Sequence, residues 1–215
     1  MDLTPVVIGL LKSIFIFIVP VVLIIAIFKY RFFKGWIGEF IVNTLTWIVL
    51  DKKLYHLIRN VTLPVEDGTT QIDHVIVSPY GIFVVETKNM KGWIFGGKNQ
   101  PTWTQKIYRH NNKFQNPLRQ NYRHVKALED ALQIAPEKLH SVVVFLGRAT
   151  FKTPMPENVT YPLGYLKYIR SKCDVVFSED EVERIKSRIG QVRLAPTRET
   201  HRDHVAALKV RNQAP

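Results

Sequence analysis

The sequence predicts a mixed α/β domain, a central mixed β-sheet flanked by helices, preceded by one membrane-spanning helix. Three observations lead there. Residues 6–28 form an apolar run, VVIGLLKSIFIFIVPVVLIIAIF. Two β-rich runs, residues 71–78 and 82–88, flank a turn at Ser78-Pro79-Tyr80-Gly81. Helix-start and strand signals then alternate along the rest of the chain. The order is helix, strands with a hairpin, helix, strand, helix, which is that of a mixed α/β domain.

The elements follow in order. Residues 6–28 are 23 in number, about 34 Å of helix at the usual rise, enough to cross a bilayer. Lys12 is their one charge, and near an end it can reach the interface. Lys29, Arg31 and Lys34 follow, interleaved with Tyr30, Phe32 and Phe33. That basic, aromatic flank places the C-terminal domain in the cytoplasm by the positive-inside rule, as a single-pass membrane protein. Residues 35–50 carry Ile37, Ile41, Leu45 and Ile48 at helical spacing, a core face, with Glu39 and Asn43 on another face. Residues 54–63 read as a strand, and Glu66-Asp67-Gly68 as a turn. Residues 92–95 read as a short strand and residues 96–114, polar and Asn-rich, as a loop. Asn116-Pro117 is an N-cap followed by proline at the first helical position, and Leu118, Val125, Leu128 and Leu132 make that helix's buried stripe. Residues 140–146 contain SVVVFL, a strand buried on both faces. Ser178 and Glu181 have capping-box spacing, and Val182, Ile185 and Ile189 continue a helix. The expected divisions are an anchor with its basic flank (1–34), a core (35–150), an extension (151–193) and a basic tail (194–215) with a short helix near 201–210.

Composition narrows the partners. The formal net charge is +12 with a sequence pI of about 9.8. Residues 1–34 hold Lys12, Lys29, Arg31 and Lys34 against Asp2, a net +3, so the remainder keeps +9. Such an excess points to nucleic acid or an anionic membrane surface. Cys173 is the one cysteine. It excludes an intrachain disulfide and a cysteine-based zinc cage, predicts no disulfide-linked partner, and reads as a buried thiol. His201 and His204, with no further ligand nearby, read as surface polar residues.

The chemistry concentrates in residues 71–89. Glu86 and Lys88, two apart on a strand, share one face. With a two-residue Pro79-Tyr80 loop, Asp73 lies across from Glu86 and Gln71 across from Lys88; a bulge at Gly81 would set His74 opposite Glu86 instead. In the first register two carboxylates and a lysine cluster. They form either a salt-bridge lattice or a site for a hard cation, Mg2+ or Mn2+, since close carboxylates repel without one.

Taken together, G-W-I-G-E (35–39), Q-I-D-H-V-I-V (71–77), G-I-F-V-V-E-T-K (81–88) and N-P-L-R-Q-N (116–121) resemble the nuclease-related domain, NERD. That family is similar to the PD-(D/E)xK superfamily, so the resemblance, over residues 35–150, implies a restriction-endonuclease-like core. It implies active-site roles for Asp73, Glu86 and Lys88, with Glu39 on the first helix and Gln120 on the second, and a metal held by Asp73, Glu86 and Glu39. The superfamily's literal Pro-Asp is absent, because Ile72 precedes Asp73. Relatives often carry a C-terminal cysteine-rich zinc module, which is not expected here.

Other residues admit two readings. Arg119, Arg123 and Lys126 make a basic stripe on the second helix, for phosphates or for solvent. Trp93 and Trp103 can stack on bases but read first as core. His74 reads as packing, and Gly35 and Gly38 as permitting close helix packing. The leading expectation is a membrane-anchored, metal-dependent nuclease acting on nucleic acid, with DNA favoured. The alternatives are a non-catalytic module that tethers nucleic acid or a protein at the membrane, and a basic domain docked on anionic lipid.

Overall fold

The computed structural model describes residues 12–195 together with 4, 9, 197, 200, 202 and 205, and for 23–36 the backbone alone. A π-helical turn at Ile14–Ile18 leads into helix α1, Val19–Val49. This helix runs through the expected boundary at 34/35 without a break. Among the described residues no helix is long and apolar enough to cross a membrane. Of the span expected at residues 6–28, residues 6–8, 10 and 11 lie outside the described residues and 23–28 are described by backbone alone; the tail helix near 201–210 lies largely outside them.

A five-stranded sheet has the order β1-β2-β3-β7-β9, built from β1 (His56–Val65), β2 (Gly68–Ser78), β3 (Gly81–Asn89), β7 (Leu139–Leu146) and β9 (Val159–Thr160). The first three strands form an antiparallel meander, and β3, β7 and β9 run parallel. The mixed sheet flanked by helices is therefore as the sequence predicts. The remaining helices are α2 (Pro117–Leu132), α3 (Pro162–Arg170) and α4 (Glu179–Val192). A second sheet has the order β6-β5-β4-β8, from β4 (Gly92–Phe95), β5 (Thr102–Ile107), β6 (His110–Gln115) and β8 (Ala149–Phe151).

Three apolar clusters show the layering. On one face of the large sheet, Val75, Val77, Ile82 and Val84 pack with Leu128 of α2 and Val182, Ile185 and Ile189 of α4. On the other, Phe83, Val85, Val142 and Val144 meet Val42 of α1 and Tyr165 and Ile169 of α3. Alternate residues of β7, Val143 and Phe145, join Ile94 and Trp103 of the small sheet. So β7 is buried on both faces, as an apolar parallel strand should be.

Local signals account for most boundaries. Asn116 Oδ1 accepts from Leu118 N at 2.9 Å, and Pro117 opens α2. Ser178 and Glu181 close a reciprocal capping box. The β2–β3 hairpin pairs Ser78 with Gly81 and Val77 with Ile82, which is the two-residue loop; the bulged register does not form. Gly81 has φ 127°, and a Cβ there would lie 2.7 Å from His140 Nε2.

Four expectations are corrected. Residues 96–114 are not a loop but contain the β5–β6 hairpin, whose strands are mostly polar because one face is open to solvent. Trp93 is not core: it is 47% exposed, whereas Trp103 is fully buried. Ile48 is exposed, and Val42 and Thr46 take the buried positions of α1, because the helix docks rotated from its most apolar stripe. Cys173 is exposed, having come to lie just past the end of α3.

Candidate active site

The β2–β3 hairpin starts as an ordinary ladder and then opens. Its last backbone pair is His74 with Val85. Beyond it, the Thr87 amide donates to Asp73 Oδ2 at 3.0 Å, and the Thr87 hydroxyl donates to the same oxygen at 2.8 Å. A carboxylate thus stands where a strand carbonyl would, and β3 keeps its pairing with β7 as far as Asn89. The cause lies partly in β1. Asn60, between the pairs Arg59–His74 and Val61–Ile72, has φ 51°, a conformation asparagine tolerates better than most residues. Core-facing positions change phase there: Ile58 then Val61 on β1, Ile72 then Val75 on β2. The kink turns Asp73 into the gap beside β3.

Glu86 and Lys88 lie on the α2 face of β3. Lys88 Nζ donates to Glu86 Oε1 at 2.6 Å and to Gln120 Oε1 at 2.8 Å. Glu86 is 3% exposed. Its Oε2 accepts no hydrogen bond and has His124 Nε2 3.3 Å away. His124 is buried and its Nδ1 is 2.8 Å from the Thr70 hydroxyl. Asn121, fully buried, donates from Nδ2 to the Val84 and Val142 carbonyls and to Ser141 Oγ, which holds α2 against β3 and β7.

Glu39 comes from α1, half-buried. Gly38 beside it allows the close approach expected of it: a Cβ there would meet Leu146 Cδ1 at 3.1 Å and Asn89 Cβ at 3.3 Å. His74, 1% exposed, is hydrogen-bonded to the Glu39 backbone; burial pushes its pKa down to about 4, so it is neutral packing.

The electrostatics single out the acids. Burial, and then the charge of Glu86, push the Asp73 carboxyl up to about 7 against the two Thr87 hydrogen bonds. Burial and Glu86 also raise Glu39. Burial pushes Glu86 up as well, but Lys88 and His124 outweigh it and hold Glu86 below the usual carboxylate range. Asp73, Glu86 and Glu39 therefore share one field without an acid-neutralising cation for each. Among the described residues no group of three or more His, Cys, Asp or Glu side chains is placed to hold a metal ion as it stands.

The site brings together Asp73, Glu86, Lys88 and Gln120, with Glu39 at its margin. The basic stripe is elsewhere engaged: Arg123 pairs with Asp67 at 2.8 Å, Lys126 with Glu129 at 2.8 Å, and Arg119 donates to the Asn99 carbonyl at 3.2 Å. Sequence reading missed His124, Thr87, Thr70 and Asn121. His124 had a signal, since it follows Gln120 by four residues and so shares its face of α2.

A family model described as the nuclease-related domain matches residues 34–146. The chain belongs to the nuclease-related domain (NERD) family. Asp73, Glu86, Lys88 and Gln120 all fall within the matched NERD segment. An uncharacterised protein of Bacillus anthracis is 40% identical over 157 residues, covering 71% of this chain and 73% of that one. No solved structure matches.

Proposed function

We propose that this NERD protein is a divalent-metal-dependent phosphodiesterase that cleaves nucleic acid while anchored to a membrane. The observation that carries the reading is the opened hairpin: Asp73 is turned into the gap beside Glu86, and Lys88 stands against Glu86 in reach of Gln120. A salt-bridge lattice would leave each acid paired. Here Glu86 is paired so, with Lys88, whereas the hydrogen bonds to Asp73 come from Thr87, and burial and Glu86 raise Asp73 to about 7.

That donor set fits Mg2+ or Mn2+, hard cations satisfied by one or two carboxylates plus waters. Asp73 and Glu86 would hold the ion, with Glu39 as a third acid in the same field. When bound, it would supply a Lewis acid for the phosphoryl oxygen and a more acidic water. Lys88 would place its ammonium at the charge that develops on the phosphate. Gln120 orients Lys88 through Oε1, and His124 with Thr70 orients Glu86. Thr87 fixes the Asp73 carboxylate through two donors to one oxygen, leaving the other free to bind.

The anchor proposal rests on the exposed apolar side chains of Ile14 to Ile18 with Val21 and Val22, and on the basic flank at Lys29, Arg31 and Lys34. Flotation of the full chain with liposomes tests it, and recovery entirely in the soluble fraction would refute it. For the chemistry, the purified full chain is assayed with labelled DNA and RNA, with and without Mg2+ or Mn2+. Cleavage that needs the ion and disappears in Asp73→Ala and Glu86→Ala is expected. Undiminished cleavage by Glu86→Ala, with circular dichroism unchanged, would sink the reading.

A further inference from the structure

We infer that the outer face of the four-stranded sheet, centred on Trp93, binds single-stranded nucleic acid and leads it to Glu86 and Lys88; the ligand class rests on the phosphodiesterase reading. From position 89 to 115 the chain has five Lys and Arg residues and no Asp or Glu. Strands β4, β5 and β6 all lie within this stretch, and β8 is likewise acid-free. Such a surface favours a polyanion.

The register assigns the face. Trp93 pairs with Lys106 and with Thr150, and Thr104 pairs with Lys113; paired residues project to the same side. The opposite side is the buried one, holding Ile94, Trp103 and Phe114. Trp93 is therefore an aromatic ring on the open side of a sheet whose core is already filled. Lys152 Nζ lies 4.6 Å and Lys106 Nζ 5.8 Å from its ring centroid. At the tip of the β5–β6 hairpin, Tyr108 is 92% exposed beside Arg109. Only the four residues 89–92 separate Lys88 from Trp93.

An exposed ring bordered by lysines is the arrangement that takes an unpaired base by stacking and its phosphates by charge. A duplex presents no base face to such a ring. Lipid insertion would need a contiguous apolar patch, whereas Trp93 pairs with Lys106 and Thr150, and the half-buried Phe95 on the same face pairs with Thr104.

The test is fluorescence anisotropy with labelled oligothymidylate and a duplex of equal length, using the full chain carrying Glu86→Gln to prevent cleavage. Trp93→Ala is expected to weaken strand binding about tenfold or more, with Trp93→Phe restoring most of it and duplex binding changed less than about twofold. The combined Lys106→Ala, Lys113→Ala, Lys152→Ala variant is expected to lower the slope of log affinity against log salt by about 2. Lys167→Ala on α3 serves as the charge control and changes neither. Unchanged strand affinity in both variants overturns the inference. So does a loss of binding to phosphatidylserine vesicles with strand affinity retained. Strand binding lost through Trp93→Ala in a chain that cleaves nothing with any divalent ion would sink the phosphodiesterase and leave this surface standing.

Discussion

The five-stranded sheet is covered on both faces, by α1 and α3 on one side and α2, α4 and the small sheet on the other, whereas the four-stranded sheet buries one face and leaves the other open. The charges follow that difference. On the large sheet Glu86 and Lys88 are few, enclosed and locked to named partners. On the small sheet the cations are numerous and exposed. Enclosed charges interact strongly because little water screens them, while exposed ones act singly by small amounts and matter through their sum. The large sheet is therefore where one substitution should abolish chemistry, and the small sheet where several are needed to change binding.

The largest expected effect is at Lys88. Removing its ammonium from between Glu86 and Gln120 should lower turnover by about 10²–10³, read in steady-state cleavage with thermal stability measured alongside. A Lys88→Ala protein with wild-type turnover would erase the functional contrast between the sheets. Next comes Phe145, where the sheets meet: its ring lies 6.1 Å from Trp103 and 5.1 Å from Phe151. Phe145→Ala should cost about 3–5 kcal/mol in denaturant unfolding, with hydrogen exchange rising first in β4 and β5.

A pH experiment sharpens the comparison. Folding raises the Asp73 pKa from 3.8 to about 7, so the folded state binds that proton more tightly than the unfolded chain. The stability contributed by protonated Asp73 should decline as pH rises from about 4 to about 7 in the absence of divalent ions. His74, moved from 6.5 to about 4, works in the opposite sense over the same window. The informative quantity is thus the melting temperature of wild type minus that of Asp73→Asn. It should fall across that range, and a flat difference would show that burial and Glu86 do not raise Asp73. The smallest effect belongs to the open sheet: Lys113→Ala should change unfolding free energy by less than about 0.5 kcal/mol.

The site was legible in proportion to how local its signals are. The alternation of β3 puts Glu86 and Lys88 on one face whatever surrounds them. Gln120 and His124 share a helix face for the same kind of reason, yet His124 gave no cue that it faces a carboxylate, because Thr70 and Glu86 reach it from distant segments. Trp93 stands beside Ile94 and Phe95 and Trp103 between two threonines, so the local sequence points to the wrong ring as the buried one. Their exposure was decided by which side of the small sheet packs on Phe145. The β5–β6 hairpin was hidden because a strand with one solvated face and few apolar residues lacks the periodic pattern that marks strands.

Caps, turns and short-range periodicity were properties of the chain itself. Asn116-Pro117, the Ser178–Glu181 box and the apolar run of β7 each satisfy their own backbone or bury their own side chains within a few residues, whereas the β2–β3 turn was legible in place but not in register. What only the tertiary structure decided is the phase change at Asn60 and Asp73, the opening of β2 from β3, and the choice of partners around Glu86. Those depend on free-energy differences between competing long-range packings, in which a kink in β1, the close seat of Gly38 and the anchoring of α2 by Asn121 act together.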